Sequence, residues 1–300
     1  MASKHQWTFG ATSLQRVVEL QESMMPPFEI YGDCTQTHLD QHRPWLVPRF
    51  QDPASGLLVL TIQSFLVRQS GLNILVDTCG GNGKERARPH FHRQNRPWLD
   101  TLRNAGVGPE DIDIVMCTHL HVDHVGWNTL LDNGRWVPTF PKARYLISQR
   151  EWDYWRNAGP AALVRTGDFI TDSVLPIIQS GQADLIGDEH AIKGDISLEP
   201  AHGHTPGQTM MRIGAGGGQA LLCADLMHHP LQVRYPEWST RFCVDPAMAR
   251  QTRMNFLKDH ANSGRLVFPT HFPDPTGGMI VRDGTDYGFV YDGEREPVFR

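Results

Sequence analysis

Three histidines and one aspartate lie within six residues of each other in Thr118–Gly126, which reads Thr-His-Leu-His-Val-Asp-His-Val-Gly. His119 and His121 are two positions apart. On extended backbone such side chains point to the same side, so both imidazoles can bind one ion at about 2.0–2.1 Å. Asp123 and His124 follow and can face a second ion. A single histidine here would be an ordinary core or surface residue, but several imidazoles and a carboxylate together are costly to desolvate without a cation. The segment therefore predicts a metal site.

The residues before this segment form the element that must position it. Ile112–Cys117 is an apolar run typical of a short buried strand, so the histidines begin where the strand gives way to a loop. Gly126 has no side chain and lets the backbone bend close to the metals. Two earlier strands are predicted at Leu57–Val67 and Leu72–Asp77, joined by a turn at Gly71.

Strands and helices continue to alternate after the metal segment. Ser148 and Glu151 have the spacing of a helix capping box, which predicts a helix that begins there. The polar, basic segment 82–96 is expected to be a flexible loop. Other predicted elements are strands at 143–147, 196–200, 208–213, 219–224 and 265–268, a Gly-rich hairpin turn before the fourth of them, and a helix at 246–260.

The longer segment Thr118–Thr129 resembles the signature of the metallo-β-lactamase superfamily, in the form found in its lactonase and organophosphate-hydrolase branch. The resemblance covers roughly residues 57 to 272. It implies an α/β fold, the αβ/βα four-layer sandwich, with two mixed β-sheets flanked by helices. Gly-His-Thr-Pro-Gly at 203–207 matches the next motif of the superfamily and nominates His204 as a metal ligand. Asp77, at a strand end, is implied to support a ligand or a loop from behind the metals.

The resemblance implies two ions bound by seven side chains. Asp225, at the end of a predicted strand, would bridge both ions, and His271, at the end of the next strand, would complete the second. Nitrogen and oxygen ligands suit two Zn²⁺ per chain, although Mn, Fe and Co can occupy similar sites. The first ion would be held by His119, His121 and His204, and the second by Asp123, His124 and His271.

Such a centre implies hydrolysis by a metal-bridging hydroxide, because two cations lower the pKa of a shared water from 15.7 toward about 7. Asp123 is the catalytic candidate for orienting the hydroxide and passing a proton to the leaving group. In acyl-homoserine lactone lactonases a tyrosine lies three residues after the bridging aspartate. Here His228 has that position, either as a donor to the oxyanion or as a polar residue at the pocket mouth. The continuation His228–Gln232 resembles the organophosphate-hydrolase relatives.

We therefore expect a binuclear-metal-dependent hydrolase that cleaves small-molecule carboxylic esters or lactones, with promiscuous hydrolysis of phosphotriesters. The alternative is a thioester hydrolase of the glyoxalase II type, which the Trp127–Asn128 continuation fits less well. A redox protein on the same scaffold, as in the flavodiiron proteins, is a third interpretation. It would need a flavin domain, and only about 30 residues follow His271.

The composition is that of an ordinary globular protein, with 20% charged and 40% hydrophobic residues and a formal net charge of −5. We expect no nucleic-acid partner, because there is no long basic run. We expect no membrane span and no signal peptide, because no apolar run reaches roughly 20 residues. The five scattered cysteines predict reduced thiols and hence a cytoplasmic protein.

A single hydrolase domain is expected at residues 51–300, without an internal linker or repeat. Residues 1–50 are expected to form an arm that packs on this domain or on the partner subunit of a homodimer. Four apolar residues near the motifs are interpreted as core rather than pocket wall: Phe91, Trp98, Trp127 and Phe289.

Overall fold

The computed structural model describes residues 6–164, 166–214 and 220–298. These residues form two compact units. As far as they are described, the first unit contains 5–20 and 62–190, and the second contains 21–61 and 191–300. The predicted Gly-rich turn at 215–219 lies outside the described residues. Among the helices that are described, none has both the length and the apolar character needed to cross a bilayer.

Strands and helices alternate through most of the described chain, as expected for an α/β fold. The strands are β1 (Gln6–Phe9), β2 (Thr12–Met25), β3 (Leu58–Gln69), β4 (Leu72–Val76), β5 (Ile114–Met116), β6 (Thr129–Asp132), β7 (Arg135–Pro138), β8 (Arg144–Ser148), β9 (Ala183–Ile186), β10 (His190–Lys193), β11 (Ile196–Pro200), β12 (Thr209–Ile213), β13 (Ala220–Ala224), β14 (Leu266–Pro269), β15 (Gly278–Asp283) and β16 (Asp286–Tyr291). The α-helices are α1 (Pro27–Ile30), α2 (Gln36–Leu46), α3 (Trp98–Asn104), α4 (Val122–Val125), α5 (Gln149–Trp155), α6 (Pro160–Leu163), α7 (Leu175–Gln179), α8 (Leu231–Arg234) and α9 (Pro246–His260). Short 3-10 turns at Pro109–Asp111 and Gly126–Asn128 and a π-helical turn at Ile170–Val174 complete the set.

The strands pair into two seven-stranded sheets and one two-stranded sheet, β6–β7. The first large sheet has the order β1-β2-β3-β4-β5-β8-β9, in which β3–β4 is antiparallel and β4, β5, β8 and β9 are parallel. The second has the order β10 to β16, with β13–β14 parallel and β11–β12 and β15–β16 antiparallel. Helix α5 contacts β8 and β9, and α8 contacts β16. These sheets confirm the predicted α/β class with two mixed sheets flanked by helices.

The parallel strands at the centre of the first sheet are buried, which explains their unbroken apolar sequence. Leu75 of β4 lies opposite Val115 of β5, and Val76 lies opposite Met116. All four side chains are buried. Parallel strands end at the same edge of a sheet, so the residues that follow Val76 and Met116 are brought side by side. This edge carries Asp77 and the start of the predicted metal segment.

The basic segment 82–96 is anchored at its start by two buried cations rather than being a free loop. Arg86 donates two hydrogen bonds to the Asp172 carboxylate, at 2.6 and 2.7 Å. Lys84 donates to Thr129 Oγ1 at 2.5 Å, and its Nζ lies 3.6 Å from the centre of the Trp136 ring. Burial lowers the pKa of Lys84 to about 7, against the opposing effect of Asp172. The prediction of a flexible loop overlooked these partners, because they lie more than 40 positions away in the sequence.

Candidate metal centre

Asp77 joins the ends of β4 and β5 behind the metal segment. Its Oδ1 accepts the backbone N–H of Thr118 at 2.8 Å, and its Oδ2 accepts the Thr118 hydroxyl at 2.8 Å. Its Oδ2 is also 2.8 Å from His124 Nδ1. The carboxylate is 1% exposed, so these groups take the place of water. Asp77 therefore has the supporting role that its place at the strand end indicates.

The first half-site consists of His119, His121, Asp123 and His124, all of the first unit. His119 Nε2 and His121 Nδ1 lie 3.1 Å apart. Two ligands of one tetrahedral ion, each at about 2.0–2.1 Å, are roughly 3.3 Å apart, so the spacing suits a shared ion. The His119 and His124 ring centres lie 4.0 Å apart, and His124 Nε2 is 3.9 Å from Asp123 Oδ1. All three imidazoles are buried, which makes the cluster a good candidate for binding a cation.

Hydrogen bonds on the far side of the rings favour the tautomers that a metal requires. The Thr118 hydroxyl donates to Asp77, so its oxygen can accept the Nδ1–H of His119, which lies 3.1 Å away. Asp77 can accept the Nδ1–H of His124 in the same way. Both assignments leave the Nε2 lone pairs of His119 and His124 without a proton. Outer partners of this kind orient metal-binding histidines and raise their basicity.

Glu151 holds the backbone between the first two histidines. The predicted cap is present, since Ser148 accepts the Glu151 N–H at 3.4 Å and α5 begins there. The Glu151 carboxylate, however, accepts the backbone N–H of Leu120 at 3.0 Å and the Trp155 indole N–H at 2.7 Å. Trp155 in turn packs edge-on against His121, with the ring centres 5.5 Å apart. The capping pattern thus identified the helix, whereas the contact with the metal segment required the tertiary structure.

Gly126 allows two backbone segments to cross in contact. A Cβ at this position would lie 1.9 Å from the carbonyl oxygen of Gly80, which is far inside van der Waals contact. The crossing is fixed by Gly126 N–H donating to Cys79 O and Trp127 N–H donating to Thr78 O, both at 2.8 Å. Gly126 was predicted to let the backbone bend close to the metals, whereas the close neighbour in the structure is the backbone after β4.

Glu19 of β2 is a supporting residue that the sequence pattern did not reveal. Its carboxylate accepts the backbone N–H groups of Gly80 and Gly81, at 2.9 and 3.3 Å, and the Trp127 indole N–H at 2.7 Å. Burial raises the pKa of Glu19, and these hydrogen bonds oppose the shift. Trp127 stacks on Trp98, with the ring centres 5.6 Å apart, and both are buried as expected for core residues. No spacing rule links Glu19 to residues 60 or more positions away.

The second half-site consists of His204, Asp225, His228 and His271, all of the second unit. Three imidazole Nε2 atoms converge on one oxygen, Asp225 Oδ2. The distances are 3.3 Å for His204, 3.1 Å for His228 and 3.1 Å for His271. All four residues are at most 4% exposed. His204, Asp225 and His228 also form one of the groups whose ligand atoms lie close enough together to hold an ion.

The strands of the second sheet explain why these residues meet. Asp225 follows β13 and His271 follows β14, and these two strands are parallel neighbours, so their ends lie at the same edge. His204 is held by the turn after β11. Gly203 has φ +126°, and a Cβ there would lie 2.2 Å from the backbone nitrogen of Ala249 in α9. A glycine is therefore needed for the His204 turn to pack against the start of α9.

The two candidate ligand histidines of this half-site, His204 and His271, each have a partner at the other ring nitrogen. His271 Nδ1 lies 2.9 Å from the Thr61 carbonyl oxygen, and His204 Nδ1 lies 3.6 Å from the Cys243 sulfur. Both contacts suit an Nδ1–H donor, which leaves Nε2 for a metal. The backbone N–H of His228 donates to the Gln232 side chain at 2.7 Å and so fixes the turn after Asp225. Imidazole nitrogens and carboxylate oxygens are donors that suit Zn²⁺ and related divalent ions.

The sequence model of the metallo-beta-lactamase superfamily matches residues 58–287. Among curated proteins, metallo-beta-lactamase domain-containing protein 1 of Xenopus laevis is 32% identical over 117 residues, covering 37% of this chain and 38% of that protein. N-acyl homoserine lactonase AiiB of Agrobacterium fabrum is 23% identical over 197 residues, covering 59% of this chain and 62% of the lactonase. The matches thus span less than two thirds of the length of these relatives.

Two solved structures are similar over nearly the whole chain. Hydrolase AbOPH has a TM-score of 0.81 at 22% identity, covering 99% of both chains. The dizinc quorum-quenching lactonase AidC has a TM-score of 0.77 at 22% identity, covering 97% of this chain and 98% of that one. At this level of identity the similarity concerns the fold. Because the superfamily match extends over most of the sequence, this chain belongs to the metallo-beta-lactamase superfamily, whose members include lactonases.

Proposed function

We propose that this protein is a metal-dependent hydrolase of carboxylic esters and lactones, in which the two half-sites together hold two divalent cations. The contacts of Asp225 carry the proposal. Its Oδ2 faces His204 at 3.3 Å and His271 at 3.1 Å, and these histidines are the ones assigned to different ions. A carboxylate between the two assigned ligands supports the interpretation of Asp225 as a bridge.

Ligand counting supports a shared centre. Zinc takes four ligands, and a catalytic zinc takes three from the protein and one from water or substrate. The first half-site offers His119 and His121 to one ion and Asp123 and His124 to the other, so each ion lacks a third ligand. In the proposal the second half-site supplies each missing third ligand, His204 for the first ion and His271 for the second. Asp225 would be a fourth protein ligand, shared by both ions.

In the proposed reaction, divalent cations held by these residues would lower the pKa of water and so make hydroxide available at neutral pH. The chain supplies proton transfer and orientation. Asp123 is 19% exposed, against 0% for its neighbour His124, so its carboxylate has the access that a proton carrier to the leaving group needs. His228, held 3.1 Å from Asp225 Oδ2, is the proposed donor to the oxygen on which negative charge develops.

The relatives support lactones and esters as the substrate class. AiiB is an N-acyl homoserine lactonase, and AidC is a lactonase whose structure contains the product N-hexanoyl-L-homoserine. AbOPH is described as a hydrolase of the beta-lactamase superfamily. We propose small-molecule lactones and aryl esters as substrates, with phosphotriesters as a further class.

All five cysteines are free thiols, which supports the proposed cytoplasmic location. A homodimer, and an arm at residues 1–50, remain part of the proposal.

The test combines metal analysis with a substrate panel. We expect about two zinc or related ions per chain, turnover of a lactone or an aryl ester, and loss of that turnover on chelation with recovery on adding zinc. A phosphotriester and a glutathione thioester complete the panel, and preferential turnover of the thioester would favour the glyoxalase II alternative. His204→Ala should lower both metal content and turnover. His202→Ala, directly before the same motif and outside the ligand set, is the matched control. Full turnover after complete metal removal would contradict the proposal.

A further inference from the structure

We propose that Cys243 is a positioning residue for His204: its sulfur accepts the Nδ1–H of the imidazole and holds Nε2 toward Asp225, which sets the affinity for one of the two cations. The inference rests on the proposed function, because it takes His204 to be a metal ligand. Cys243 lies 39 positions from His204 and belongs to no motif that predicts the site.

The segment that carries Cys243 is tied to the His204 turn by its backbone as well as by its side chain. Cys243 Sγ lies 3.6 Å from His204 Nδ1. The backbone N–H of Val244 donates to His204 O at 2.8 Å, and that of Asp245 donates to Gly203 O at 3.0 Å. Two successive backbone bonds fix the distance between the segment of Cys243 and the His204 turn. The contact is therefore a built part of this turn rather than the chance approach of a mobile side chain.

The thiol has a second partner that directs its proton. Cys243 Sγ is 3.4 Å from Thr240 Oγ1, and the Cys243 N–H donates to Thr240 O at 3.2 Å. When the S–H points at the Thr240 hydroxyl, the sulfur lone pairs are available to His204 Nδ1–H. The two ring nitrogens are on opposite edges of an imidazole, and Nε2 is the one 3.3 Å from Asp225 Oδ2. The sulfur thus lies at the ring nitrogen that does not face Asp225.

The acceptor behind the His204 ring is a sulfur atom, whereas those behind His124 and His271 are oxygen atoms. His124 faces the Asp77 carboxylate at 2.8 Å, and His271 faces a carbonyl oxygen at 2.9 Å. Thiol sulfur is a weaker and longer acceptor than either oxygen. The outer partner of His204 should therefore contribute less to metal binding than those of His124 and His271, and we expect the ion assigned to His204 to be the first lost to a chelator.

The experiment measures zinc affinity of the full-length protein by competition with a chromophoric chelator, together with the visible absorption of the cobalt-substituted protein. Cys243→Ala should weaken binding of one ion on the order of ten-fold and shift the cobalt spectrum, leaving the other ion unchanged. Cys243→Ser, whose hydroxyl can still accept, should restore part of the affinity. Cys34→Ala is the control, because Cys34 is buried and its thiol lies 3.8 Å from the carbonyl oxygen of its neighbour Thr35.

The outcomes separate this inference from the proposed function. If the unmodified protein binds two ions and both Cys243 variants match it in affinity and cobalt spectrum, the positioning role is wrong and the metal centre stands. If the unmodified protein binds no second ion, the proposed function itself fails. Circular dichroism of each variant shows whether it is folded, and Cys243→Ser, which differs by one atom, provides the comparison if Cys243→Ala does not fold.

Discussion

Replacing Asp77 by asparagine tests whether the metal segment depends on one buried carboxylate. Asp77 Oδ1 accepts the Thr118 N–H, and Oδ2 accepts the Thr118 hydroxyl and faces His124 Nδ1, each at 2.8 Å. An asparagine of the same shape has one acceptor oxygen and one NH₂ group. Whichever way the amide is turned, its NH₂ faces either the Thr118 N–H or the His124 Nδ1–H. In either case two N–H donors point at each other with no acceptor between them.

The size of the effect follows from these contacts. A hydrogen bond to a charged group contributes about 1.5–3 kcal/mol, and a buried donor left without an acceptor costs a similar amount. We therefore expect Asp77→Asn to lower the free energy of unfolding by about 2–3 kcal/mol. His124 could avoid the clash by moving its proton to Nε2, but that nitrogen is then blocked for a metal. We expect the zinc affinity of the ion assigned to His124 to fall about 10- to 100-fold.

The assay is urea unfolding of the chelated and zinc-loaded proteins, with zinc affinity measured by chelator competition. Asp113→Asn is the matched control. Asp113 accepts the Asn73 N–H at 2.9 Å and pairs with Lys142 at 3.1 Å, both partly exposed, so its loss should cost less than about 1 kcal/mol and leave zinc binding unchanged. An Asp77→Asn protein with the stability and zinc affinity of the original would refute the reasoning.

Three further predictions follow from the packing, the buried lysine and the metal ligands. Gly126→Ala should lower the free energy of unfolding in urea by about 3 kcal/mol, because its Cβ would lie 1.9 Å from Gly80 O. Gly159→Ala, whose Cβ would lie in open space, should change it little. Equal urea midpoints of the two variants would contradict this prediction. Burial lowers the pKa of Lys84 to about 7, so above that pH the folded protein releases a proton that the unfolded chain keeps until about 10.4. Stability should therefore rise with pH between these values, with a slope of at most about 1.4 kcal/mol per pH unit, and Lys84→Met should lose this slope in urea titrations at pH 7 to 10. Chelation should lower the melting temperature measured by calorimetry, and adding zinc should restore it. His204→Ala should reduce the difference in melting temperature between the zinc-loaded and the chelated protein. A melting temperature independent of metal would count against the ligand set.

Much of the fold could be predicted because its cues are local. The apolar run before the metal segment became β5, the helix expected at 246–260 is α9, and the Ser148 cap begins α5. Within each half-site the candidate ligands also lie together, because strand ends of one sheet edge are neighbours whenever the strands are paired. His119 and His121, predicted from their spacing of two to share an ion, have their Nε2 and Nδ1 atoms 3.1 Å apart.

The amino-acid sequence alone determined the residue types that can bind metal, their order and the superfamily to which they belong, because these depend on short motifs and strand periodicity. Only the tertiary structure decided which groups stand behind the ligands. Glu19 reaches Gly80, Glu151 reaches Leu120, and Cys243 reaches His204 across 31 to 61 positions of chain. Such contacts arise where distant segments pack side by side. Local sequence preferences therefore do not predict them.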